Sequence, residues 1–166
     1  MNESTDPQGT ACEQAVAHSA HAEHPAALTD FPVVIAWPVQ WGDQDAFGHV
    51  NNTVYFRWFE SARIAYFERL GLEDAMSGQG LGPILAAINC NYRRQLTYPD
   101  TIRIGTRVTR VGNTSLTIAH AIFSDRLQTL AADGDSVVVM FDYSAQQPRR
   151  VPDDLRAAIA ALENKK

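Results

Sequence analysis

A chain of 166 residues, 45% hydrophobic and 20% charged, is sized for one globular domain of ordinary composition. No apolar run approaches the ~20 residues that cross a bilayer, which excludes a membrane-spanning helix as a reading. The formal charge of −5 sits in the first thirty residues, where Glu3, Asp6, Glu13, Glu23 and Asp30 face no Lys or Arg; the remainder is formally neutral and gives no reason to expect a nucleic-acid partner.

Residues 1–30 are rich in Ala, His, Glu, Ser and Thr and lack a strong period, so they are expected to form a disordered acidic extension before one domain over 31–166. His18, His21 and His24 fall at intervals of three, but Pro25 follows and no Cys or carboxylate completes a set, so neither a metal site nor a cofactor is expected. Cys12 and Cys90 do not make a disulfide framework, and nothing at the N-terminus reads as a secretory signal; a reducing cytoplasm is the expected compartment.

Val33 to Trp41 is β-branched and aromatic and predicts a first strand, which Pro38 confines to an edge. Trp41-Gly-Asp-Gln-Asp-Ala-Phe-Gly-His-Val-Asn-Asn-Thr-Val-Tyr55 then reads as a strand end, a polar turn and the start of a helix. Such a junction sets a carboxylate, Asp45, beside the unpaired N–H groups of a helix N-terminus. A base or nucleophile next to an oxyanion site is what acyl transfer needs. Residues 52–70 predict the main helix: Tyr55, Phe59, Ala62, Tyr66 and Leu70 form one stripe, widened by Phe56, Ile64 and Phe67. Arg57, Glu60, Arg63, Glu68 and Arg69 are expected on the other face, with Glu60 and Arg63 as an ion pair, and Gly71 closes the helix. Asn51 or Asn52 is the expected cap.

Ile84–Gln95, Thr101–Val111, Ser115–Ser124 and Val137–Tyr143 predict strands, with Leu127–Ala132 as a further strand before a turn at Asp133-Gly-Asp135. Pro152 and the Asp153-Asp154 pair introduce a short helix over Leu155–Leu162. One long helix followed by antiparallel strands is an α+β layer architecture.

Asp45, Gly48, Tyr55-Phe-Arg-Trp58, Glu60, Arg63 and Gly71-Leu72, with Val137-Val-Val-Met-Phe-Asp-Tyr143 and Arg149-Arg-Val-Pro152 at the end of the chain, resemble hotdog-fold acyl-CoA thioesterases of the 4-hydroxybenzoyl-CoA thioesterase type. The resemblance implies a long central helix wrapped by a five- or six-stranded antiparallel sheet. It implies a homodimer, or a homotetramer, with acyl-CoA bound between subunits. It assigns catalysis to Asp45, as base or nucleophile, and the oxyanion donor to the backbone N–H near Asn52. A related branch uses a helix glutamate, which makes Glu60 a second candidate. Gly48-His-Val-Asn-Asn52 is similar instead to acyl-carrier-protein and aliphatic acyl-CoA thioesterases, and it makes His49 a candidate to orient substrate or water. Plant acyl-carrier enzymes carry an Asn two residues after the Asp, where this chain has Phe47.

Coenzyme A brings phosphates, for which Arg93, Arg94, Arg110, Arg149 and Arg150 are candidates. By resemblance the turn Val111-Gly-Asn-Thr-Ser115 adds Gly112, Asn113 and Ser115. Hydrolysis of an acyl-carrier thioester, or acyl-CoA binding without hydrolysis, are the alternative readings.

Overall fold

The computed structural model describes residues 25–72 and 80–164. The first strand, β1 (Val33–Pro38), leads through a 3₁₀ turn at Trp41–Asp43 into helix α1 (Asn52–Arg69). Then come β2 (Leu81–Ile88), β3 (Asn91–Tyr92), β4 (Thr101–Val111), β5 (Ser115–Ser124), β6 (Thr129–Asp142), β7 (Gln147–Pro148) and helix α2 (Asp153–Glu163). The strands form one antiparallel sheet in the order β1-β4-β5-β6-β2, with the two-residue strands β3 and β7 also pairing with β6. Five long strands thus make the body of the sheet, and β1, the strand that carries Pro38, is an edge as expected.

Helix α1 ends in a Schellman motif. Gly71 takes φ +71°, its N–H donates to the Glu68 carbonyl at 3.0 Å, and the Leu72 N–H donates to the Phe67 carbonyl at 3.1 Å. The helix lies against the sheet and divides the core in two. Tyr55, Trp58, Phe59 and Ala62 pack with Leu96, Ile102, Ile104 and Ile122. Further along, Tyr66 and Phe67 pack with Leu116, Ile118, Val138 and Met140, and α2 closes that end with Leu155 and Ile159. The other face of the sheet carries a smaller cluster in which Leu28, fully buried, covers Ala121 and Phe123. Residues 26–30, read from the sequence as part of the extension, therefore contain a 3₁₀ turn that packs on the sheet. The histidines at 18, 21 and 24 lie outside the described residues. Among the described residues no helix is long and apolar enough to cross a membrane.

Two residues on α1 depart from the expected amphipathic split. Ile64, expected in the apolar stripe, is exposed. Arg63, expected on the solvent face, is 6% exposed, and its Nη1 donates to Ser136 Oγ at 3.2 Å rather than pairing with Glu60. Ser136 Oγ also meets His120 Nε2 at 2.8 Å, and His120 Nδ1 meets Thr106 Oγ1 at 3.0 Å. Phe59 stacks on the His120 ring with centroids 4.6 Å apart. A small polar chain thus crosses the sheet from β4 to β6 beneath the helix. It is satisfied with His120 neutral: Ser136 accepts from Arg63, its hydroxyl donates to Nε2, and Nδ1–H donates to Thr106.

Burial, and after it the nearby Arg63 charge, push the His120 pKa down from 6.5 to about 3. The unfolded chain therefore binds more protons than the native one between those values. Stability from this site is complete above the unfolded value and is lost as pH falls toward the folded one. At about 1.4 kcal/mol per pH unit, the expected loss is about 2 kcal/mol by pH 5. Urea unfolding at neutral pH and near pH 5 should show it. His120→Gln, less stable at neutral pH, should close part of its gap to the parent chain in acid; a gap independent of pH would remove His120 as the cause.

Candidate active site

The candidate catalytic residue sits in a miniature hairpin. Gln44 pairs with Val50, and the Asp45 N–H donates to the His49 carbonyl at 3.0 Å. The three residues between, Ala46, Phe47 and Gly48, form a tight loop in which Gly48 takes φ +79° and its N–H donates to the Asp45 carbonyl at 3.0 Å. A turn followed by a left-handed residue is a favoured way to close a three-residue hairpin, and glycine fills that place without strain. The hairpin is fixed to the rest of the fold at two points. The Asn51 N–H donates to the Asp43 carbonyl at 2.8 Å, and the Val50 N–H donates to the Leu96 carbonyl at 2.8 Å. Asp43 is itself held in a capping box, its Oδ2 accepting from the Gln40 N–H at 2.8 Å, which gives this aspartate a structural role.

Three groups surround the Asp45 carboxylate. Oδ1 accepts from the Phe47 N–H at 2.9 Å, and Oδ2 lies 3.4 Å from Asn51 Nδ2. His49 Nδ1 stands 3.9 Å from Oδ1, beyond hydrogen-bond reach, and faces the Val50 carbonyl at 3.3 Å. A carbonyl can only accept, so that contact places a proton on Nδ1. Phe47, 86% exposed, lays its ring along the imidazole.

The helix begins directly after this hairpin. Asn51 is the N-cap: its Oδ1 accepts from the Thr53 N–H at 2.9 Å. Asn52 is the first helical residue, and its N–H has no acceptor within the helix. Asp45, His49, Val50, Asn52, Tyr55, Tyr92, Arg93, Arg94 and Gln95 line one cleft of about 360 Å³. Tyr55 and Tyr92 meet edge to face on its apolar side, and the Tyr92 hydroxyl donates to the Asn52 carbonyl at 3.0 Å. Burial raises the Tyr55 pKa to about 12 and the Cys90 thiol beneath to about 11, so neither supplies a proton or a nucleophile near neutral pH.

The structure brings Asp45, His49, Asn52, Arg93 and Arg94 together, and it adds Tyr92 and Asn51. Tyr92 carried no signal beyond the alternation of its strand; Asn51 stood out as a possible cap and within the Gly48-His-Val-Asn-Asn52 segment. Arg93 is engaged by Asp133, whereas Arg94 enters no ion pair among the described residues and donates through Nη1 to the Arg93 carbonyl at 2.7 Å. Glu60 is exposed and does not line this cleft. Arg110, Gly112, Asn113 and Ser115 lie at the far end of β4 and β5, roughly 30 Å along the strands from the Asp45 end. That turn is held by the C-terminal segment, since Arg156 Nη2 donates to the Gly112 and Asn113 carbonyls at 2.5 and 3.1 Å. Arg149 and Arg150 are paired with Asp142 and Asp153. Within one chain, then, only Arg93 and Arg94 of the expected phosphate-binding set reach the cleft.

A helix wrapped by an antiparallel sheet, with an acid hairpin at the helix start, is the architecture of hotdog-fold thioester hydrolases. The model of the thioesterase-like superfamily matches residues 39–159, and the chain belongs to that family. A thioesterase from Thermus thermophilus, solved in complex with coenzyme A and zinc, is 30% identical, with a TM-score of 0.74 over 83% of this chain and 98% of that one. The long-chain acyl-CoA thioesterase FadM of Escherichia coli is 25% identical over 71% of this chain and 89% of FadM. The match to the YsmA protein of Bacillus subtilis, 34% identical, spans 49% of this chain and about half, 54%, of that relative.

Proposed function

We propose that the chain hydrolyses acyl-CoA thioesters to a carboxylic acid and free coenzyme A, with Asp45 as general base or nucleophile. The observation that carries this reading is that Asp45 and Asn52, the first residue of the helix, line one cleft. As a base, Asp45 takes a proton from water while the water oxygen bonds to the thioester carbon. The carbonyl oxygen gains charge in that step, and a backbone N–H about 3 Å away stabilises it more in the transition state than in the ground state. The carbon–sulfur bond then breaks. A thiolate is a good enough leaving group to need no strong acid, so the lack of one in the cleft is no obstacle. His49, which lines the same cleft, is the proposed residue to orient substrate or water.

Arg94, bordering the cleft and outside any ion pair among the described residues, suits a coenzyme A phosphate. Arg94→Ala is expected to raise KM about three- to tenfold with kcat nearly unchanged, an effect that should weaken in high salt. The working unit is proposed to be a homodimer, or a pair of dimers. Edge strand β2 supports this, exposing Ile84 and Leu85 at 39% and 44%. Light scattering measures the assembly directly.

The reaction itself is tested by following thiol release from short, medium, long and aromatic acyl-CoAs, with a matched acyl-carrier thioester alongside. Multiple turnover on a CoA ester is expected. Equimolar binding without turnover across the panel would replace hydrolysis by a binding role, and preference for the carrier thioester would move the substrate class.

A further inference from the structure

We infer that Asn51 is a positioning residue that aims the Asp45 carboxylate at the reacting carbon, so that the helix cap and the catalytic geometry are a single device. The inference rests on the reading of Asp45 as base or nucleophile and adds to it a residue that does not touch substrate.

Asn51 performs two tasks with two ends of one amide. Its Oδ1 accepts from the Thr53 N–H at 2.9 Å and from the Thr53 hydroxyl at 2.7 Å. Two donors on one side fix which end of the amide is oxygen, because a flipped side chain would turn its NH₂ toward the Thr53 N–H. Nδ2 is thereby forced to the other side, where it lies 3.4 Å from Asp45 Oδ2. The contact is long, as catalytic hydrogen bonds often are before substrate binds. The other oxygen, Oδ1, is tied to the Phe47 N–H at 2.9 Å. With one oxygen held by the hairpin and the other by the helix cap, rotation about the terminal bond of Asp45 is restrained from both ends. Asp45 lines the same cleft as Asn52.

The cap role alone makes a different prediction. Asp and Ser cap helices about as well as Asn, and an added negative charge at a helix start is favourable. A purely structural Asn51 would therefore be replaceable by either. If Nδ2 aims Asp45, Asn51→Asp is the damaging change: it keeps the acceptor for Thr53 but sets a carboxylate, in place of a donor, against Asp45. Asn51→Ser keeps the cap and leaves Oδ2 untethered.

Asn51→Ser should unfold within about 2 °C of the parent chain, and Asn51→Asp, which sets two carboxylates together, within about 5 °C. Asn51→Asp should lower kcat about 10- to 100-fold and Asn51→Ser about tenfold, with KM within about threefold in each, the order of loss seen when a reacting group is misplaced by a fraction of an ångström. On an Asp45→Asn background, Asn51→Asp should cost less than about twofold more, since it acts only through Asp45. Parent-like kcat in Asn51→Asp, or the same loss on both backgrounds, would overturn the positioning role while leaving Asp45 in place. Full activity in Asp45→Asn would overturn the catalytic reading, and the inference with it. Should Asp45→Asn leave too little activity to divide, kcat in the folded single variants decides.

Discussion

Asp45→Asn is expected to lower kcat about 10²- to 10⁴-fold, the usual range for removal of a general base, while KM changes little and the melting temperature stays within about 2 °C. The substitution is close to isosteric. An asparagine Oδ1 can still accept from the Phe47 N–H, so the turn that Asp45 now closes at 2.9 Å survives. The hairpin's other fixings, Gln44 to Val50 and Gly48 to the Asp45 carbonyl, use backbone and are untouched. What is lost is the negative charge, the acceptor that Asn51 Nδ2 faces at 3.4 Å, and the ability to take a proton or form an acyl bond. On the proposed mechanism residual hydrolysis should survive, because the Asn52 N–H, the proposed donor to the carbonyl oxygen, is unchanged. Thiol release from a saturating acyl-CoA reads the effect. Unaltered kcat would move the chemistry to another residue. A drop in melting temperature of more than about 5 °C together with the loss would instead mark Asp45 as a turn residue.

The sequence made the turn at Asp45 and the helix start legible because their signals are local. Gly48 marks the turn, Asn51 the cap, and the stripe that starts at Tyr55 the helix. The same locality explains Gly71 and the edge position of Pro38. What was not legible depends on contacts far apart in sequence. Periodicity put Arg63 on the solvent face, but Ser136, seventy-three residues on, gives its guanidinium a buried partner. Ile84–Gln95, read as one strand, is divided at Asn89-Cys90 into β2 and β3. Tyr92 enters the cleft only because β3 pairs with β6 and so brings its ring to the start of α1. The glycine-containing turn at 112–115 sits across the length of the sheet from Asp45, a separation that strand length fixes and motif resemblance does not encode.

The largest stability effect is expected at Gly134, about 3–5 kcal/mol for Gly134→Ala. Asp133-Gly-Asp135 has the composition of a turn, yet β6 runs straight through it from Thr129 to Asp142. Gly134 is buried, pairs with His120 on β5, and faces the place where the chain passes from β2 to β3. A Cβ there would lie 2.1 Å from the Asn89 carbonyl oxygen and 3.1 Å from the Cys90 Cα. Both are backbone, and neither can swing aside as a side chain could. Asn89 is further anchored, its N–H donating to the Asp135 carbonyl at 2.9 Å. Relief would require about an ångström of movement in a strand paired on both sides. That movement would disturb the His120 chain on one flank and Tyr92 in the cleft on the other. The expected loss corresponds to a fall of roughly 10–20 °C in melting temperature for a domain of this size. Gly42→Ala is the matched control: nothing lies within 4 Å of its added Cβ, so it should change stability by under about 0.5 kcal/mol. A Gly134→Ala chain as stable as that control would mean that the β2–β3 passage is not held where the structure places it.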